Sequence, residues 1–130
     1  MAAFTRVEEI QAWQKARVVT KMIYEMTSEG GFERDFGLRD QARRACVSVM
    51  ANIAEGFGRR GDREFVRFLN IVHGSACEAQ SHLYVAHDLG YLSLKQFDGL
   101  YALLSEVARM IYALISHLRG GRGQDGAGAL

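Results

Sequence analysis

The chain has no proline among its 130 residues, so nothing in it fixes φ and deletes an amide donor inside an element. Long uninterrupted helices are therefore permitted throughout. Cysteine is nearly missing as well. Cys46 and Cys77 show no CxxC spacing and both fall in predicted helices. This argues against a disulfide framework or a metal pair and leaves two reduced, half-buried thiols as the expectation. No run reaches the ~18 consecutive apolar residues of a membrane span. The segment from Met1 to Ile10 has no signal-peptide core with a cleavage site. The expectation is a soluble, cytoplasmic protein with no membrane partner. A large charge of one sign is also lacking: 16 basic residues face 15 acidic ones, for a formal net charge of +1. That balance argues against strong, general attraction to nucleic acid. Lysine is scarce, at 3 residues against 13 arginines. The planar guanidinium suits bidentate contact with phosphate or carboxylate better than a diffuse cationic coat would.

What is present is apolar and periodic. Hydrophobic residues make up 48% of the chain, enough for one core, and the length suits a single domain. The spacing predicts a first helix over Glu8 to Thr27, with Ala12, Ala16, Val19, Ile23 and Met26 on its inner face and Trp13 beside them. A loop from Ser28 to Leu38 follows, where Phe32 and Phe36 read as plugs over the bundle end. A second helix is predicted over Asp40 to Glu55, striped by Ala42, Ala45, Val49 and Ile53, with Asn52 at the stripe's edge placed to satisfy backbone groups. A third runs from Asp62 to Leu89 and ends at Gly90. The fourth opens with a capping box, Ser93 with Gln96, and stops at Gly120 and Gly121. The fold class is all-α, an antiparallel up-and-down four-helix bundle over 1–119, followed by a disordered glycine-rich tail over 120–130. On the last helix Leu103, Met110 and Leu114 widen the apolar arc beyond one core-facing surface. On the third, Ile71, Ser75, Glu78, His82 and Val85 make a second, mixed stripe. Together these predict burial against another subunit, the alternative being a broad core in a monomer.

The junction between the second and third helices is the most basic point in the chain. From Arg39 to Arg67 stand seven arginines against Asp40, Glu55, Asp62 and Glu64. Gly56, Gly58 and Gly61 spell G-x-G-x-x-G, but a helix precedes them and no strand is visible, so the context rejects a dinucleotide fold. Two readings of the junction remain. In one, glycines turn successive amides outward beside a helix N-terminus and Arg59, Arg60, Arg63 and Arg67, making a phosphate site. In the other, it is a solvated turn whose arginines pair with Glu55, Asp62 and Glu64. Arg43 and Arg44 point about 100° apart on their helix, so one can join the turn while the other meets Asp40 or Glu55. Metal ligation by Glu55, Glu64 or Glu78 lacks the paired Glu-x-x-His signature of di-metal bundles, and Glu78 with His82 has the spacing of an ordinary i,i+4 surface pair. Ser48, Ser75, Cys46 and Cys77 have no base and orienting group placed beside them. His73, His87 and His117 show no ligand spacing, and Trp13 and Tyr24 read as packing residues. The expectation is a protein that is not an enzyme and needs no cofactor.

Several of these residues form a set: Trp13-Gln14-Lys15-Ala16, Ile23-Tyr24, Phe36-Gly37-Leu38, Gln41 with Arg43-Arg44-Ala45, Asn52-Ile53-Ala54-Glu55-Gly56, Gly58-Arg59, Glu64-Phe65, Phe68-Leu69, Gly74-Ser75, Glu78 and Leu89-Gly90-Tyr91. On that set the chain resembles the small four-helix proteins encoded in intervening sequences of bacterial large-subunit ribosomal RNA genes, over nearly its whole length up to Leu118. The resemblance implies an up-down bundle assembled as a homo-oligomeric ring of five. It extends to the accessory variability determinant of diversity-generating retroelements, a basic bundle that binds nucleic acid and a reverse transcriptase. The chain departs from that pattern in two ways. Met50 stands where the family usually has a proline, so a kink in the second helix is expected to be absent or milder. Arg39 and Gly61 stand where Ser or Thr would cap, leaving Asp40 and Asp62 to take over, or Gly61 to cap weakly.

The leading expectation is a homo-oligomer, pentameric by resemblance, that binds structured RNA or DNA through Arg43, Arg44, Arg59, Arg60, Arg63 and Arg67. Asn52, Glu55, Gly56, Gly58, Glu64, Gly74, Ser75 and Glu78 form the structural motif. The alternative is a protein-interaction scaffold whose arginines meet acidic partners.

Overall fold

Residues 4–120 are described by a computed structural model, and every regular element among them is helical. After a 3-10 turn at Val7–Glu9 come α1 (Gln11–Met26), α2 (Gly30–Arg34), α3 (Phe36–Gly58), α4 (Asp62–Asp88) and α5 (Leu94–Gly120). The four long helices make a bundle in which α3 lies on α4, α4 on α5, and α1 closes the ring against α3 and α5. Cross-helix bonds fix the register. Thr20 Oγ1 on α1 donates to Cys46 O at 3.3 Å, and Arg43 Nε donates to Thr27 Oγ1 at 2.8 Å. The Ser48 and Ser75 hydroxyls meet at 2.8 Å, and Gln80 Nε2 donates to Tyr101 O at 3.2 Å and Ser105 Oγ at 2.8 Å. Between α1 and α3, and between α3 and α4, residue numbers climb on one helix as they fall on its neighbour, as short connections require.

The inner faces follow the apolar stripes. Ala12, Ala16, Val19 and Ile23 of α1, Ala42, Ala45, Val49 and Ile53 of α3, and Leu69, Val72, Ala76 and Leu83 of α4 are all buried. On α5, Leu100, Leu104, Val107, Ile111 and Leu118 complete the core. α5 is also the one described helix long and apolar enough to cross a membrane, yet that buried stripe packs against α1 and α4. Leu103, Met110 and Leu114 are half-buried against the same core, so the bundle itself absorbs much of the arc expected to be left over. Cys46 is buried and Cys77 exposed, neither of them half-buried, and both thiols are free. Burial pushes the Cys46 thiol up to about 12.

The ends of the elements depart from expectation in instructive ways. α1 starts at Gln11, later than Glu8, because Ile10 takes an extended conformation that drops its side chain into the core at 2% exposure. The expected loop from Ser28 to Leu38 contains α2 and the start of α3. Phe32 does plug the bundle end, stacked on Tyr91 with ring centroids 5.3 Å apart. Phe36 does not; it is 64% exposed, and the Arg39 guanidinium lies 4.8 Å from its ring centroid. α3 begins four residues earlier than Asp40 because Asp35 caps it, its Oδ1 accepting from Leu38 N at 3.2 Å. The cap is held in turn by Tyr91 Oη, which donates to Asp35 Oδ2 at 3.0 Å. α3 then runs through Met50 to Gly58 without interruption. At the end of α4 the Gly90 and Tyr91 amides donate to His87 O and Ala86 O, and Gly90 has φ +80°, the left-handed C-terminal cap expected there. The Ser93 and Gln96 capping box forms reciprocally, with bonds of 2.9 and 3.1 Å. The glycine-rich tail falls on residues 121–130, outside the described residues, while Gly120 closes α5.

Candidate functional site

Only Arg59, Arg60 and Gly61 separate α3 from α4, a tighter junction than three turning glycines would make. Gly56 is a buried helical residue, not part of the turn. A Cβ there would lie 2.7 Å from Phe68 Cβ and 3.1 Å from Phe65 Cδ1, so its lack of a side chain lets α4 press against α3. Gly58 is the last residue of α3, and Gly61 is an extended N-cap to α4 with φ −143° and ψ 140°. The residue in the left-handed region is Arg60, at φ +67°. The amides of Arg59 and Arg60 donate back to Gly56 O at 3.2 Å and Phe57 O at 3.3 Å. The expected cradle of outward amides is therefore not built, because the end of α3 consumes them. Gly61 supplies no side-chain bond, so the first amides of α4 keep their positive end without a side-chain cap.

Four arginines surround this junction in two different states. Arg59 Nη2 donates to Glu55 Oε2 at 2.9 Å, and Arg67 donates to both Glu64 oxygens at 3.1 and 3.2 Å. Both guanidinium groups stand over the Phe68 ring, 5.1 and 4.5 Å from its centroid, so one buried aromatic braces two cations. The Arg67 hydrogen bond holds the Glu64 carboxyl below the usual carboxylate range, with the fields of Arg67, Arg59 and Arg63 acting in the same direction. Arg60 and Arg63 are exposed and make no ion pair or side-chain hydrogen bond among the described residues.

Arg43 and Arg44 do not join this group. They lie sixteen and fifteen residues before Arg59, the C-cap of the same uninterrupted helix, roughly 24 and 22 Å away by helical rise. Arg43 fastens α3 to the end of α1: its Nε donates to Thr27 Oγ1 at 2.8 Å, its Nη2 to Ser28 Oγ at 3.2 Å, and its guanidinium covers Tyr24 at 4.5 Å. Arg44 pairs with Glu78 across the helix interface, not with Asp40 or Glu55, and also donates to Gln41 Oε1 at 2.7 Å. Glu78 in turn faces His82 Nε2 at 3.3 Å. The other motif residues act inside the bundle. Asn52 Nδ2 donates to Ser48 O at 2.9 Å and Ser48 Oγ at 3.0 Å, so it satisfies its own helix, while the Ser48 hydroxyl it braces meets Ser75 on α4. Ser75, expected on an outer stripe, is buried in that contact. Gly74 faces open space, with nothing within 4 Å of where a Cβ would stand. Among the described residues no group of three or more His, Cys, Asp or Glu could hold a metal.

Two functional candidates were not legible along the chain. Asn70 and Arg119 line a cleft with Arg63, Glu64, Val66 and Arg67, because the last turn of α5 lies beside the first turns of α4. The up-down topology contains that signal, since it returns the C-terminal end of the fourth long helix to the N-terminal end of the third.

Residues 8–113 match the protein family described as 23S rRNA-intervening sequence protein. No curated protein matches the chain. A solved structure from Bacteroides thetaiotaomicron VPI-5482, described as a protein with unknown function from the S23 ribosomal protein family, superposes with a TM-score of 0.73. It is 20% identical, and the match covers 80% of this chain and 97% of that one, which establishes likeness of fold.

Proposed function

The chain belongs to the 23S rRNA-intervening sequence protein family, and from that premise we propose that it is a non-enzymatic, homo-oligomeric bundle that binds nucleic acid, structured RNA first of all. The contact surface is the α3–α4 junction. The observation that carries this reading is the pair Arg60 and Arg63: two exposed guanidinium groups with no acceptor among the described residues, beside a helix start with no side-chain cap. Arg59 and Arg67, braced on Phe68, flank them and add positive field while remaining paired to Glu55 and Glu64. Arg43 and Arg44 lie away from this junction and are engaged within the bundle, Arg43 with Thr27 and Ser28 and Arg44 with Gln41 and Glu78, so the proposed contact surface leaves them out. One such junction has modest charge, and its repetition around a ring, pentameric as the resemblance implies, multiplies it into a continuous basic surface.

A scaffold reading has its own support, because two of the four arginines are answered by acids on their own helices. Salt separates the two. Phosphate contacts predict binding to a labelled hairpin RNA that falls steeply with salt and is displaced by unrelated polyanions. The variant carrying Arg60→Ala and Arg63→Ala should keep its fold and lose that binding. Salt-insensitive or absent binding by a correctly folded sample would favour the scaffold.

A further inference from the structure

Next to the junction, α4 and α5 enclose an open cleft of about 340 Å³, lined by Arg63, Glu64, Val66, Arg67, Asn70 and Arg119. We propose that this cleft is a phosphate-binding site in which Arg63 from α4 and Arg119 from α5 hold one phosphate group between two helices. The inference rests on the function proposed above for the source of the phosphate, a nucleic-acid backbone, but its chemistry stands on the cleft itself. The volume is near the lower bound of ligand pockets and the cleft is open, which suits a single projecting charged group more than an engulfed molecule. Three of its five polar side chains are arginines. Arg63 and Arg119 have no acceptor among the described residues. Asn70 Nδ2 gives one hydrogen to Val66 O at 3.1 Å, which orients the amide and leaves its second hydrogen available. Val66 is buried and makes an apolar floor. Glu64 is the one carboxylate in the cleft, and Arg67 occupies both of its oxygens. Arg119 also complements the negative end of α5, and no carboxylate among the described residues pairs with it, so the guanidinium keeps donors for an anion.

The test uses the full chain, isotopically labelled so that the arginine Nε–Hε signals are resolved. It is titrated separately with inorganic phosphate, a mononucleotide, the uncharged nucleoside and a hairpin oligonucleotide. The site predicts saturable shifts at Arg63 and Arg119 with every phosphate-bearing ligand and none with the nucleoside. Arg119→Gln should abolish the phosphate response, weaken oligonucleotide binding about fivefold and lower the salt slope by about one. Arg119→Lys should restore the slope without the full affinity, because lysine cannot bind bidentately. Arg119 lies off the junction and Arg60 off the cleft, so the two ideas can fail apart. Phosphate shifts at Arg63 and Arg119 with no oligonucleotide binding would keep the site and sink the nucleic-acid reading. Oligonucleotide binding that needs Arg60 but is indifferent to Arg119→Gln, with no saturable phosphate shift, would overturn the site.

Discussion

Arg60 is a bulky residue in the left-handed region at the tip of the junction, while glycines stand two positions before it and one after. An L-residue there costs about 1 kcal/mol relative to glycine. Arg60→Gly should therefore raise the denaturation midpoint while weakening RNA binding, two effects of opposite sign from one change. If binding survives unchanged in that variant, Arg60 is not a contact. Gly56 gives the converse case. Gly56→Ala places a methyl 2.7 Å from Phe68 Cβ, and the overpacking should cost about 1–3 kcal/mol in urea unfolding. Cys46 links stability to alkali. The unfolded thiol ionises near its ordinary value while the folded one stays protonated up to about 12, so stability should fall as pH rises through that interval. At neutral pH an alkylating reagent should modify Cys77 at once and Cys46 only after denaturation. The sequence made the candidate arginines of the junction legible but not their states. Whether Arg59 or Arg63 finds an acid depends on rotamers and helix phase, which spacing alone leaves open.

At the scale of elements, caps and stripes were readable because each is local. Ser93 with Gln96, Gly90 after α4 and the aliphatic periodicity all act within a turn or two of chain. What the chain concealed depends on contacts distant in sequence. Asp35 caps α3 with the help of Tyr91, 56 residues away, and so Phe36 and Gly37 become helical. Gly56 reads as a turn residue until Phe65 and Phe68 are seen against it. Arg43 reads as a surface cation until Thr27, fully buried, is found accepting from it. Arg43→Ala leaves Thr27 with one donor fewer and the α1–α3 contact unfastened. We expect a loss of about 1–3 kcal/mol in stability with RNA affinity unchanged once the protein is folded. A proportionate loss of affinity would return Arg43 to the binding surface.

For the whole molecule, near-neutral overall charge conceals a polar asymmetry of the bundle. One end gathers Arg59, Arg60, Arg63, Arg67 and Arg119 with Glu55, Asp62 and Glu64, and the 3-10 turn packed on α3 adds Arg6 against Glu8 and Glu9, so the surplus there is local to the α3–α4 junction and the last turn of α5. Assembly would repeat that end. Val47, Ile71 and Val85 remain exposed on α3 and α4, as apolar surface available to a neighbouring copy. A light-scattering mass of several chains at micromolar concentration is the expected result, and a single-chain mass would remove the multiplication of charge on which the proposal leans. Whether the junction grips phosphate is decided by the salt dependence of hairpin-RNA binding by the intact protein and by the Arg60→Ala, Arg63→Ala variant. A steep negative slope is expected for the first, and for the variant a slope shallower by about two per bound junction with affinity largely lost. Equal slopes and equal affinities in the two folded proteins would contradict that grip.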